Sequence, residues 1–167
     1  GFNDGVYTNA EKGVRFNLGK GWKVEAAEEN AEGGVCSFMD KGGKIVGIFV
    51  HKQESWKAKE HAKWRAEKIG KETNSVTWER EEKLKKEPGD WLVVELSVEE
   101  GEKTWRTSHL YVSNGQDNWD LVIRCAEDDF EENEKLLGEI LDSFELGKFE
   151  DEGNDPEEPG EVVEPED

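Results

Sequence analysis

Three consecutive segments near the centre of the chain alternate apolar and polar residues with a period of two. They span residues 91–98, 103–112 and 118–126, and short polar breaks separate them. Alternation with this period is the primary sequence signal of a β-strand. Because sequential strands with short connections usually pair, the stretch predicts an antiparallel meander around which the chain folds.

The same alternation predicts the register of the first two strands, since a slip of one residue turns every side chain to the opposite face. A turn centred on Glu100 and Gly101 places Leu96 opposite Trp105. The apolar side chains of both strands then lie on one face.

The second turn contains Asn114-Gly115, which is typical of a two-residue hairpin loop. That loop would place Trp105 opposite Arg124. A three- or five-residue loop centred on Gly115 places Trp105 opposite Cys125 instead, and we expect this register because it preserves the apolar face. The other face would be half covered and would carry four charged residues: Glu95, Arg106, Asp120 and Arg124.

Shorter strand patterns surround the meander. Strands are expected near residues 6–8, 14–18 and 22–24, and a hairpin around Gly42-Gly43 joins residues 35–40 to 45–51. Residues 75–84 are polar enough for an edge strand or a strand with one face towards solvent. The sequence therefore predicts an antiparallel sheet of six or seven strands.

Two segments change to a helical period. In residues 53–70, small apolar residues recur at three- and four-residue steps, with Ser55 as a candidate N-cap and Gly70 at the end. A second helix begins near Asp128, where Glu131 fits a capping box, and Gly147 suits its C-terminal end. The predicted fold class is α+β, with one early and one C-terminal helix.

Charge divides the chain into two parts. The net charge is −19, but residues 149–167 hold ten acidic residues, no basic residue and three of the four prolines, so the remainder carries about −9. Such a segment buries too little apolar surface to offset its ordering entropy. We expect a domain at residues 1–148 and a disordered acidic tail at 149–167, which serves as a linker, a spacer or bait for a basic partner.

Composition also limits partners and location. The negative charge argues against nucleic acid, whose phosphates need Lys and Arg. No apolar run reaches the ~18 residues of a membrane span, so no membrane insertion is expected. Because the only Met, Met39, is internal, we expect a processed chain, exported to the periplasm or outside the cell, with a cytoplasmic location left open. If it is exported, Cys36 and Cys125 could form a disulfide; otherwise they are buried thiols.

Short motifs at both ends of residues 7–146 resemble the PsbP-like superfamily, which also includes a yeast Ran-binding nuclear import factor and bacterial exported lipoproteins. The matching residues are Tyr7, residues 13–18, Gly21-Trp22 and residues 140–144. Gly19 stands where the family usually has proline, and the middle matches only in element order. The resemblance implies a sheet between helices and a non-catalytic role in binding or assembly. No functional residue carries over.

The sequence contains no recognisable set of catalytic residues. Phosphate-loop, nucleophile-elbow and zinc-protease motifs are absent from the sequence, and no cofactor or metal site is predicted. His109 and Cys125 would share a face but lie about four residues apart, too far for a nucleophile–base pair. His109 therefore reads as a core histidine.

Trp56 and Trp64 lie about two residues off the apolar stripe of the first helix. Tryptophans in such a helix usually pack against the sheet, but exposed rings can also form a binding surface. We therefore expect a bacterial, non-enzymatic module that binds another protein. The alternative is a domain that binds a small ligand or glycan through exposed tryptophans, and a thiol-dependent enzyme is a third class.

Overall fold

The computed structural model describes residues 1–27 and 33–150. Thirteen elements follow one another in these residues: β1 (Phe2–Asn3), β2 (Val6–Asn9), β3 (Val14–Asn17), β4 (Lys23–Ala26), β5 (Gly34–Met39), β6 (Val46–Lys52), α1 (Ala58–Glu72), β7 (Ser75–Leu84), β8 (Asp90–Glu100), β9 (Lys103–Ser113), β10 (Asn118–Ala126), α2 (Glu127–Asp142) and β11 (Glu145–Leu146).

The strands form two antiparallel sheets. The large sheet has the order β4-β5-β6-β10-β9-β8-β7, and the small sheet has the order β1-β2-β3-β11. Helix α1 packs against β7, β8 and β9, whereas α2 packs against β9, β10 and β3. This is the expected α+β class, with β7 at the predicted edge. The small second sheet was not expected.

Both turns of the meander differ from the predicted ones. Leu96 lies opposite Thr107, because the first turn is centred one residue later than expected. The partner of Leu96 is therefore two residues further along β9 than expected. A shift of two residues leaves every side chain of the two strands on its predicted face. The odd-numbered second loop is wrong: the loop has four residues and places Trp105 opposite Ala126.

The side chain of Asn114 explains the four-residue loop. Its Oδ1 accepts hydrogen bonds from the backbone N–H groups of Gln116 (2.9 Å) and Asp117 (2.7 Å). The backbone N–H of Asn114 donates to the Asp117 carbonyl (3.2 Å). Asn side chains commonly bond to the backbone two residues on in this way. The resulting register puts His109 opposite Val122.

The central strands β8 and β9 are mostly buried on both faces, so the expectation of one apolar face and one half-covered face is wrong. One core cluster lies under α1 and includes Leu92, Val94, Leu96, Val98 and Tyr111. The other lies between the large sheet, α2 and the small sheet. The charged residues expected on one face are therefore split: Glu95 and Arg106 point towards α2, whereas Asp120 and Arg124 point towards the α1 side.

The helix ends also differ from the expected ones. Helix α1 begins after Lys57, whose backbone N–H donates to Glu60 Oε1 (3.1 Å), so Ser55 is not its cap. It continues through Gly70 to Glu72. Helix α2 ends at Asp142, and the chain then adds β11 to the small sheet instead of reaching a cap at Gly147.

Cys36 and Cys125 are buried free thiols, so the disulfide that the sequence left open does not form. Cys36 lies on β5 opposite Phe49, and Phe49 lies opposite Leu121 on β10. Cys125 is four residues further along β10. Two strand spacings of about 4.8 Å and four residues of about 3.3 Å separate the thiols, well beyond disulfide reach.

The end of the chain falls largely outside the described residues. Phe149, the first residue of the expected tail, still contacts the small sheet, where the Arg15 guanidinium lies 4.6 Å from its ring centre. Residues 151–167 are not described.

Candidate binding site

Helix α1 covers only part of the large sheet. It packs on β7, β8 and β9, and the same face of β4, β5 and β6 continues beyond it. The register places Met39 opposite Val46, and Ile48 opposite Val122, all on this side. Met39 is 43% exposed. We call this surface, formed by Lys23, Glu25, Ser37, Met39, Val46, Ile48, Val122 and Arg124, the open face.

The open face holds a groove of about 390 Å³. Its floor is apolar, and Lys23, Glu25 and Arg124 provide charges of both signs at its rim. Gly47 lies on the floor, and the Phe38 ring packs so closely against it that an added Cβ would lie 2.3 Å from the ring. Phe38 pairs with Gly47 and belongs to the core on the opposite face of the sheet, so the packing beneath the groove requires a glycine at this position.

A second cavity, of about 220 Å³, lies between the C-terminal half of α1 and the sheet. Its lining shares Ile48, Val122 and Arg124 with the groove, so the two adjoin. The Arg124 guanidinium lies 4.5 Å from the centre of the Trp105 ring at this junction. Groove and cavity together form one concave surface on this side of the sheet.

Polar side chains line the inner wall of the cavity and continue beneath α1. The Tyr111 hydroxyl lies 2.8 Å from His109 Nδ1, and His109 Nε2 lies 3.0 Å from Thr107 Oγ1. Asp120 approaches His109 Nδ1 (3.7 Å) and Arg65 Nε (3.6 Å). Burial and the nearby Asp120 charge raise the pKa of Tyr111 well above its usual value, so the phenol stays protonated.

His61 is packed among aromatic rings next to this polar layer. Its ring centre lies 5.0 Å from that of Tyr111, 5.4 Å from Trp56 and 6.1 Å from Trp64. Neither ring nitrogen has a hydrogen-bond partner among the described residues. Burial therefore lowers the pKa of His61 to about 4, against the opposing pull of Asp120.

Trp56 and Trp64 lie together, as a shared binding surface would require. Their ring centres are 5.3 Å apart and both side chains are half-buried. Trp56 precedes α1 and Trp64 lies near its middle, and neither lines the groove of the open face. Whether they bind a ligand stays a prediction.

The cysteines are poor nucleophiles in this fold. Burial raises the pKa of Cys36 to about 12, and burial together with the charges of Asp129 and Glu127 raises that of Cys125 to about 11. Cys125 lies on the opposite face of the sheet from His109, not on the same face as expected. Within residues 1–27 and 33–150, no group of three His, Cys, Asp or Glu side chains could hold a metal ion.

Sequence reasoning missed the open face. The available signal was β6, whose residues Val46, Ile48, Phe49 and Val50 are apolar on both faces. A helix about 10 Å wide covers only two or three strands spaced about 4.8 Å apart. One helix on a seven-stranded sheet therefore leaves apolar strands uncovered on its side.

Comparison with solved structures identifies the architecture. The cyanobacterial PsbP protein CyanoP of Synechocystis superposes with a TM-score of 0.70 at 14% identity, covering 84% of this chain and 91% of CyanoP. The chain has the PsbP-like fold. LpqN of Mycobacterium tuberculosis, described as involved in cell envelope biogenesis, shares the fold with a TM-score of 0.57 at 10% identity, covering 80% of this chain and 83% of LpqN.

A protein from Bacteroides thetaiotaomicron matches with a TM-score of 0.52 at 12% identity, covering 86% of this chain and 48% of its own. No protein-family model and no curated protein sequence matches the chain. The PsbP-like likeness therefore rests on the fold. Neither helix of the described residues is long and apolar enough to cross a membrane.

Proposed function

We propose that this protein is a non-catalytic binding module that docks another protein on the open face. The observation that carries the proposal is the uncovered apolar strip of Met39, Val46, Ile48 and Val122 beside α1. A contiguous exposed apolar patch with a polar rim commonly marks an interaction site. The PsbP-like fold is in keeping with such a role.

The rim of the open face favours a protein over other partners. Lys23 and Arg124 are basic and Glu25 is acidic, so the rim offers both charge signs around an apolar centre. This arrangement matches the apolar core and polar rim of protein–protein interfaces. A nucleic acid would need a surface dominated by Lys and Arg, whereas the whole chain carries −19.

The small-ligand alternative has one observation in its favour. The cavity beside α1 combines apolar walls from Ile69 and Val98 with the polar groups of Thr107, His109 and Arg65, as small-molecule sites do. A ligand there would contact Trp105, and its binding would change the fluorescence of the wild type. Loss of that change in Trp105→Phe, and its persistence in Trp22→Phe, would favour this function.

We further propose that the module works outside the cytoplasm of a bacterium. Support comes from the shared fold with LpqN, which is described as involved in cell envelope biogenesis. Detection of the protein in envelope or extracellular fractions, with a cytoplasmic marker absent from them, tests this location.

Site-specific photo-crosslinking tests the docking surface. A photoreactive phenylalanine analogue replaces Met39 in one sample and Leu136 in another, in the full chain within source-cell extract. Leu136 is a matched control, since it is 37% exposed but lies on α2, on the other side of the large sheet. A protein adduct at position 39 that does not form at position 136 is expected. Equal labelling at both positions would contradict the proposal.

A further inference from the structure

A cluster of cations surrounds Trp64, which lies in α1, and Trp56, which precedes it. Lys52 Nζ lies 4.7 Å from the centre of the Trp64 ring and 5.8 Å from that of Trp56. The Arg65 guanidinium and Lys68 Nζ lie 5.2 Å and 5.4 Å from the Trp64 ring centre. We call these five residues the cationic tryptophan patch.

The patch belongs to a basic stretch of an acidic protein. Residues 52–71 hold seven Lys or Arg against three Glu, a net charge of +4, whereas the whole chain carries −19 and all other residues therefore −23. Lys52, Arg65 and Lys68 also make other contacts within the chain. They contribute to the net field of the patch and are not vacant ion-pair positions.

The chain leaves the described structure at the same end of the sheet as the patch. After β11, the Gly147 N–H donates to the Gly13 carbonyl (3.0 Å). The neighbouring Lys12 carbonyl accepts from Trp119 Nε1 (3.0 Å), and the Trp119 ring centre lies 5.7 Å from that of His51. His51 precedes Lys52. A short series of contacts thus leads from the end of β11 to the patch.

The remaining residues have the length and charge to occupy the patch. Residues 151–167 hold nine acidic and no basic residues. Seventeen residues span up to about 60 Å when extended, whereas a compact unit of 150 residues is roughly 40 Å across. The tail is therefore long enough to arrive at the patch. Because it is attached to the same chain, its effective concentration at the patch is high.

We propose that residues 151–167 dock on the cationic tryptophan patch of their own chain. Carboxylates of the tail lie against Lys52 and Lys68, and the tail thereby shields the patch from other acidic ligands. Because exposed charges interact only within about a Debye length, the contact weakens as salt is added.

Paramagnetic broadening in NMR tests the contact in the full chain. Cys36 and Cys125 are buried, so Gly160→Cys introduces one accessible thiol for a nitroxide label without changing the charge of the tail. Seven tryptophan indole signals report on the domain, and Trp56→Phe and Trp64→Phe assign the two in the patch. At about 10 mM ionic strength, the Trp56 and Trp64 signals are expected to lose intensity selectively. They should recover near 1 M salt, where the Debye length is about 3 Å.

Charge reversals provide the matched control. Lys52→Glu with Lys68→Glu should restore both indole signals, whereas Lys41→Glu with Lys44→Glu makes the same charge change in the exposed β5–β6 turn and should leave the broadening intact. Uniform broadening of all seven indoles, or equal recovery in both double variants, would overturn the proposal. So would broadening of an isotope-labelled wild type by a separate spin-labelled chain, because the tail would then dock on a second copy.

Discussion

Asp120 Oδ1 lies 3.7 Å from His109 Nδ1, and both side chains are completely buried beneath α1. Two and four residues further along β10, Val122 and Arg124 line the open face. One strand thus passes from the covered half of the sheet to its open half. The buried polar layer holds the inner wall of the cavity in place where it adjoins the docking groove.

Replacement of Asp120 by Ala should destabilise the fold strongly. Removing one member of a buried charge pair typically costs about 3 kcal/mol or more, and this variant removes the buried carboxylate that lies 3.6 Å from Arg65 Nε. Urea denaturation measures the loss. Asp128→Ala, at an exposed position in the first turn of α2, is the control and should cost less than about 1 kcal/mol. Equal losses would show that Asp120 has no special structural role.

Acid should destabilise the protein through His61. Its pKa falls from the usual 6.5 to about 4 in the fold, so the unfolded chain takes up the proton first as the pH decreases. The stabilisation is fully present above pH 6.5 and is lost between there and pH 4, by about 3 kcal/mol. His61→Leu should flatten this part of the stability profile. A variant that keeps the wild-type slope would exclude His61 as its origin.

The ion pairs on the α2 side of the sheet should differ in how much they contribute to the free energy of unfolding. Arg80 Nε donates to Glu95 Oε2 (2.7 Å), and Arg106 approaches Glu95 Oε1 (3.6 Å), with the Glu95 carboxylate nearly buried. Glu95→Ala should cost about 2 kcal/mol because it removes the nearly buried acceptor of Arg80 and one of the two carboxylates near Arg106, which keeps Glu127 (3.0 Å). Glu82→Ala removes the exposed partner of Arg80 and should cost less than about 1 kcal/mol. A larger loss for Glu82 in thermal unfolding would reverse this assignment.

Replacement by Ala should have opposite effects on stability at two glycines. At Gly47 a Cβ would lie 2.3 Å from the Phe38 ring and 2.6 Å from the Val122 carbonyl oxygen, so Gly47→Ala should cost about 1–3 kcal/mol. At Gly138, within α2, nothing lies within 4 Å of the added carbon, and Gly138→Ala should stabilise by about 0.5–1 kcal/mol. Calorimetry distinguishes the two, and a stable Gly47→Ala would contradict the close packing of Phe38 against Gly47 in the core beneath the groove.

Local patterns predicted the strands of the meander, the β5–β6 hairpin, both helices and the edge position of β7. The register after Asn114 could not be predicted on the assumption of one buried face. Helices cover both faces of these strands, so apolar side chains are buried whichever face they point to. The alternation of apolar and polar residues therefore does not distinguish one register from another. The turn chemistry of Asn114 decides it instead.

The candidate site depends on contacts that are distant in sequence. Met39, Ile48 and Val122 come from three strands, and only the order of strands in the sheet brings them together. The early helix could be predicted from its period, but its position over β7–β9 could not. That position decides which apolar residues are covered and which form the open face.

The affinity of the partner captured by the wild-type chain tests the docking surface most directly. Met39→Asp places a charge in the apolar strip, and Leu136→Asp places the same charge on α2. The account predicts that the first weakens binding at least about tenfold, a loss of about 1.4 kcal/mol, while the second leaves it unchanged and both keep the wild-type melting temperature. Equal affinity of both variants, or a loss in Leu136→Asp alone, would contradict a docking surface on the open face.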